Sequence, residues 1–158
     1  MLNNPNTKVW IYQSNKLLIK QQVTEIEKIL TNFTLNWQAH GQPLSAGFEL
    51  KYNLFIVLWV DEKLAQASGC SIDALVRVIK EIDQKFNLDL FNRFNMAWLQ
   101  NGILKFSNKE NFAQLVLNKT IQADTLVFNN MVQTAYQYIN EWKIPFAQSW
   151  HSKVFAIV

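Results

Sequence analysis

Apolar residues follow three different rhythms along this chain, and each rhythm predicts a different kind of element. Val9, Trp10, Ile11 and Tyr12 form a short continuous run of β-branched and aromatic side chains, which predicts a buried first strand ended by Ser14 and Asn15. Over residues 21–37 the apolar positions Val23, Ile26, Leu30, Phe33 and Trp37 advance by three or four, the stripe of an amphipathic helix. Gly41 is then placed to end that helix as a left-handed cap, and Pro43 cannot continue it. Phe48, Leu50 and Tyr52 alternate with Glu49 and Lys51, the period of a strand with one wet face. Tyr52 and Asn53 mark a turn, after which residues 54–60 are apolar without alternation, which predicts a central strand covered on both faces.

A second helix follows, with Ile72, Leu75, Val76, Ile79, Ile82 and Phe86 on its inner side and Ser71 as the expected N-cap. Asn101-Gly102 between two apolar runs predicts a two-residue hairpin in which Leu99 faces Leu104 and Ala97 faces Phe106. A short helix capped by Ser107 or Asn108 should carry Phe112, Leu115 and Val116, with Ile121 beyond it, and residues 125–128 read as one more strand. Residues 129–142 are expected to be helical, with Val132, Tyr136, Ile139 and Trp142 facing inward and Pro145 closing the element. The tail from Ser149 to Val158 is apolar enough to dock on the body. The order strand, helix, strand, strand, helix, strand predicts one α+β domain over residues 1–158. Its expected fold is a ferredoxin-like, antiparallel-rich sheet backed by helices, with an added hairpin strand and a helical C-terminal extension. A doubly wound sheet is disfavoured, because the second and third strands lie too close for a crossover helix.

Composition narrows the class of protein. At 158 residues, 49% hydrophobic, the chain can build a core without help from disulfides or a structural metal, and its single cysteine allows no intrachain bridge. With four glycines and three prolines it is neither collagen-like nor low-complexity. The formal charge is +3, but the cations are dispersed lysines, with Arg77 and Arg93 as the only arginines. That is not the concentrated, arginine-rich face of a nucleic-acid reader, so no nucleic-acid partner is expected. The longest apolar run is far shorter than a membrane-spanning helix and the start of the chain does not read as a secretory signal, so a soluble, cytoplasmic protein without membrane association is expected.

Candidate chemistry is sparse. No glycine is followed by lysine, so the phosphate-binding loop G-x-x-x-x-G-K-[ST] is missing, and G-x-G-x-x-G is missing as well. The most suggestive segment is Ser68-Gly69-Cys70-Ser71-Ile72-Asp73, where a thiol lies at the mouth of a helix whose free N–H groups and dipole favour an anion. Cys70 is thus a candidate nucleophile, with Ser68, Gly69, Ser71 and Asp73 as candidate ligand contacts; the alternative is a small buried apolar residue beside an ordinary cap. His40, in a turn, and His151, in the tail, are candidate general bases for Cys70, or simply a solvated turn residue and a hydrogen-bonded anchor. A zinc site of Cys70, His40 and His151 has suitable ligand types but no spacing signature, and no metal or other cofactor is expected. Asn129 and Asn130, with Gln133 beyond them, could orient a ligand through their amides or cap the following helix. The six tryptophans fall mainly on inferred core positions.

Residues 8–14 (KVWIYQS), 37–41 (WQAHG), 67–73 (ASGCSID), 127–130 (VFNN) and 149–151 (SWH) together carry a resemblance. Over nearly its full length the chain resembles a family of small bacterial proteins commonly labelled ABC transporter ATPases. The label implies nucleotide hydrolysis, which the missing phosphate loop contradicts, and the resemblance supplies no catalytic or binding residue to carry over. Two readings of function follow. The first is a domain that binds a small molecule or a protein and can self-associate as a homo-oligomer; the second is a thiol-dependent enzyme or thiol sensor built on Cys70 with His40 or His151 as base.

Overall fold

The structure, a computed structural model, describes residues 2–155. Its elements run β1 (Lys8–Gln13), α1 (Lys20–Asn36), β2 (Gln38–Ala39), β3 (Gln42–Pro43), β4 (Ser45–Lys51), β5 (Phe55–Asp61), α2 (Gly69–Phe86), β6 (Met96–Gln100), β7 (Ile103–Ser107), α3 (Lys109–Leu117), β8 (Leu126–Phe128), α4 (Ala135–Glu141), β9 (Lys143–Pro145) and α5 (His151–Val154). A single 3-10 turn, Phe146–Gln148, precedes α5. Helices pack against antiparallel sheets, an α+β architecture.

The strands form two principal sheets, ordered β1-β5-β4 and β7-β6-β8-β9, with β2 and β3 a separate two-residue hairpin. This corrects the expectation of one sheet backed by helices on one face. The reason lies in β5, whose residues Phe55–Val60 are all buried and so need cover on both sides. On one face Ile56, Leu58 and Val60, with Tyr12 of β1, pack beneath α1 and α2 through Ile26, Leu30, Leu75, Ile79 and Ile82. On the other, Val9, Ile11, Phe55, Val57 and Trp59 meet Ala97, Phe128 and α4. The outer face of the second sheet buries Met96, Trp98 and Val127 against Phe112 and Val116 of α3, Phe146 and Phe155. Helix pair, sheet, sheet and helical cover therefore stack as four layers with three cores between them.

Local predictions hold where short-range chemistry decides. Asn101 and Gly102 both take positive φ, 52° and 77°, and the register sets Leu99 opposite Leu104 and Ala97 opposite Phe106. Tyr52 and Asn53 turn between β4 and β5, also at positive φ. Gly47 is required by its neighbour, since a Cβ there would come within 2.5 Å of the Trp59 indole. Gly41 is a correction: with His40 it forms the turn between β2 and β3, whereas α1 ends at Trp37 in extended backbone.

Two further corrections concern helix starts. The N-cap of α2 is Ser68, not Ser71, so Cys70 lies inside the first turn. Residues 129–134 are not helical: Val9 N–H donates to Gln133 O at 3.0 Å and Ala135 N–H to Thr7 O at 2.8 Å, which holds this segment against the edge of β1. Thr134 then caps a shorter α4, and the inward residues are Ala135 and Tyr138, leaving Tyr136 and Ile139 exposed. Pro145 ends β9, an edge strand paired with β8, where its missing N–H costs nothing in the ladder. The part of the expected tail dock that concerns Ala156, Ile157 and Val158 lies outside the described residues. Among the described residues no helix is long and apolar enough to cross a membrane.

Candidate functional site

The first candidate region is the start of α2. Ser68 Oγ accepts the Ser71 N–H at 3.2 Å, Ser71 Oγ accepts the Ser68 N–H at 2.7 Å, and Ser71 Oγ donates to Ser68 O at 2.8 Å. This reciprocal box uses the Ser71 hydroxyl as both donor and acceptor and the Ser68 hydroxyl as an acceptor, and Ser71 is buried. Cys70 is exposed, which corrects the alternative of a buried structural thiol, and Gly69 and Asp73 are exposed with it. His40 is an exposed turn residue at φ 51°. His151 lies on α5, in the cover of the second sheet, where its hydrogen-bonding and ring partners are Ser149, Trp150 and Phe112. No group of three or more His, Cys, Asp or Glu among the described residues is placed to hold a metal ion, so Cys70, His40 and His151 form no ligand set.

The second region was assembled by the fold. β1 is an edge strand, and its alternating ladder with β5 turns the backbone N–H and C=O of Val9, Ile11 and Gln13 outward. Val9 N–H is met by Gln133 O, and Gln13 C=O by the Asn95 Nδ2 at 3.4 Å. Among the described residues the Val9 C=O, the Gln13 N–H and both the N–H and C=O of Ile11 have no protein partner, and Ile11 alone has neither group met. Beside them opens a cleft of about 350 Å³, lined by Trp10, Ile11 and Tyr12 of β1, by Ile72 of α2, by Asn130, Met131 and Gln133, and by Arg93. The Ile11 side chain is committed to the core between the sheets, so its backbone is what the strand presents outward.

The cleft adjoins a small cavity of about 20 Å³ that shares Ile11, Arg93, Asn130 and Met131 as walls and adds Gln13, Asn95, Trp150 and His151. Its amides are ordered by hydrogen bonds across the chain. Asn130 Nδ2 donates to Gln13 Oε1 at 2.9 Å, Trp142 Nε1 to Asn130 Oδ1 at 2.9 Å, Gln13 Nε2 to Met96 O at 3.1 Å, and Asn95 Nδ2 to Asp89 O at 2.9 Å. The buried indole N–H of Trp150 has no partner among the described residues. Trp150 is itself held from outside by Phe94, at a centroid distance of 6.3 Å, over which Lys109 lies at 4.3 Å.

His151 is 1% exposed, and burial pushes its pKa down to about 4, so it is neutral at pH 7. Ser149 Oγ gives its one proton to Phe146 O at 2.8 Å, so in the 3.1 Å contact with His151 it is Nδ1 that donates. The Nε2 lone pair is left as an acceptor. The cavity thus combines a free donor on Trp150, an acceptor on His151 and a set of locked amides, with room for about one water-sized group. Arg93 is exposed, no carboxylate lies within 4 Å of it among the described residues, and it stands close enough to Tyr12 to offset part of the burial that raises that phenol's pKa.

Of the residues singled out in the sequence, the fold therefore brings Asn130 and His151 to one cavity and leaves Cys70, His40, Ser68, Gly69, Ser71 and Asp73 outside it. Asn129 stays local, its Oδ1 accepting the Met131 N–H at 3.2 Å. Gln13, Arg93 and Asn95 were missed. The available signal was polarity out of place: Gln13 continues a buried apolar strand, and Asn95 sits between Phe94 and Met96. Comparison with known proteins finds no matching family model, no matching curated protein and no matching solved structure.

Proposed function

We propose that this protein is a ligand-binding domain whose site is the cleft along the outer edge of β1. The observation that carries this reading is the pair of unmet Ile11 backbone groups opening onto a cleft that is lined by Arg93 and adjoins an ordered amide cluster. Buried polar groups are nearly always satisfied, and a concave site with a few convergent polar groups is the usual form of a small-molecule pocket. The sheet order β1-β5-β4 with α1 and α2 on one face supports relating the first half of the chain to a ferredoxin-like split βαβ core, and we carry that relation as part of the proposal. The thiol reading has less support. Cys70 has the access a nucleophile needs, but the Ser71 hydroxyl is spent on the helix start and His151 lines a cavity that Cys70 does not reach.

The test is a two-dimensional ¹H–¹⁵N spectrum recorded against a library of small carboxylates, amides and short peptides. Binding in the cleft should move the resonances of Ile11, Gln13, Asn130 and the Trp150 indole together. Shifts confined to other surfaces, or none with any compound, would overturn the reading.

A further inference from the structure

The chemistry of the cleft walls narrows what it can hold. Its two cationic walls are Lys8 and Arg93, and no carboxylate lines it. Lys8 Nζ lies 3.7 Å from Glu62, which leaves the Arg93 guanidinium as the uncommitted charge. A guanidinium presents a planar fork of donors suited to a carboxylate. Alongside it, the backbone of Ile11 offers one donor and one acceptor in strand geometry, the pair that an extended amide segment uses when it adds to a sheet edge. The segment opposite already pairs with this edge at one end, through the antiparallel bridge between Lys8 and Thr134, and diverges from it towards Met131. At about 350 Å³ the cleft is at the low end of the volumes of small-ligand sites, which fits a short peptide rather than a long strand.

Resting on the reading of this cleft as the binding site, we propose that its ligand is a short extended peptide with a free C-terminal carboxylate. Its backbone pairs with the N–H and C=O of Ile11, and its carboxylate is held by Arg93. The amide cluster of Gln13, Asn95 and Asn130 fixes the end of β1 so that these groups are already in position before the ligand arrives.

The experiment titrates the full chain and its Arg93→Gln variant with four probes, followed by the resonances of Ile11, Asn130 and the Trp150 indole. The probes are N-acetyl-alanyl-valine, its C-terminal primary amide, its form N-methylated at valine, and sodium acetate. Arg93 is exposed, so the variant should fold as the parent does. The expected result is saturable binding of the acid, with a loss of about tenfold or more on amidation or in Arg93→Gln, the scale of one hydrogen bond to a charged group, and of about fivefold on N-methylation, the scale of one neutral backbone hydrogen bond. Equal binding of acid and amide, or no effect of Arg93→Gln, would overturn the carboxylate assignment. Acetate binding as tightly as the dipeptide, or indifference to N-methylation, would overturn the peptide. If none of these probes moves the cleft resonances while other library compounds do, this inference fails and the binding cleft stands; if no compound moves them, both fail.

Discussion

The start of α2 and the end of β1 are both polar clusters beside apolar cores, yet they are built in opposite ways. At α2 the polar partners lie three residues apart and bond to one another, Ser68 and Ser71 exchanging backbone-to-hydroxyl bonds. At β1 the partners come from segments separated by 82 to 117 positions, and after Gln13, Asn95 and Asn130 have bonded, the backbone of Ile11 and the indole of Trp150 remain unmet among the described residues. Local polar sequence tends to be used locally, as caps and turns. A surplus of hydrogen-bonding capacity in a buried place arises only when distant segments converge.

The largest expected difference between the two regions is in stability. Asn130→Ala would leave the buried Trp142 N–H and the Gln13 Oε1 without partners, and should cost about 4 kcal/mol in urea unfolding, counting about 2 for each orphaned group. A loss below about 1 kcal/mol would show that the cluster holds little and would weaken the contrast.

His151 gives the next effect, and its sign is fixed by where the proton binds. The folded chain holds the ring neutral with a pKa of about 4, against about 6.5 when unfolded. Stability from this group is therefore complete above pH 6.5. It falls as the pH drops towards 4, because only the unfolded chain takes up the proton, and it levels off below that. The loss across this window should be about 3 kcal/mol. Thermal melts of the parent and of His151→Gln between pH 7 and pH 4 check it, since the variant should lack this component of the slope.

Smaller effects belong to α2. Ser68→Ala removes the N-cap and should cost about 1 kcal/mol, read as a lower urea midpoint at unchanged slope. Cys70→Ser should change stability by no more than about 0.5 kcal/mol, because the side chain is exposed. Iodoacetamide should alkylate Cys70 without denaturant, with a pH profile that His40→Ala and His151→Ala leave unchanged. A profile moved by either histidine would reverse the ranking of the two regions and return the thiol reading to first place.

How much of this was legible beforehand depends on the range over which each feature is decided. The Asn101-Gly102 hairpin, the Asn108 cap of α3 and the unbroken burial of β5 follow from neighbours a few residues apart, and each was readable. Residues 129–134 show the opposite case. Their apolar spacing fits a helix, but the edge of β1 takes the carbonyl of Gln133, and the amide of Ala135 goes to Thr7 instead of closing a helical turn. The Ala135 N–H has one hydrogen to give, so donating it to Thr7 O removes the bond that would continue a helix back through residue 131. The same competition is what makes the cleft, since this segment reaches β1 at Lys8 and leaves it before Ile11.

The sequence by itself determined the types of β1, α1, β4, β5, α2 and the β6–β7 hairpin, the turns at Asn101-Gly102 and Tyr52-Asn53, the helix-facing core and the missing phosphate loop, because sterics, side-chain period and turn chemistry act within a few residues. Only the tertiary structure decided that the strands divide into two sheets, that Asn130 and His151 meet Gln13, Arg93 and Asn95, and that Cys70 does not join them. Those outcomes turn on which edges and faces remain to be covered after the local elements form. That is a property of packing in three dimensions, where residues a hundred positions apart compete for the same hydrogen bond and the same buried surface.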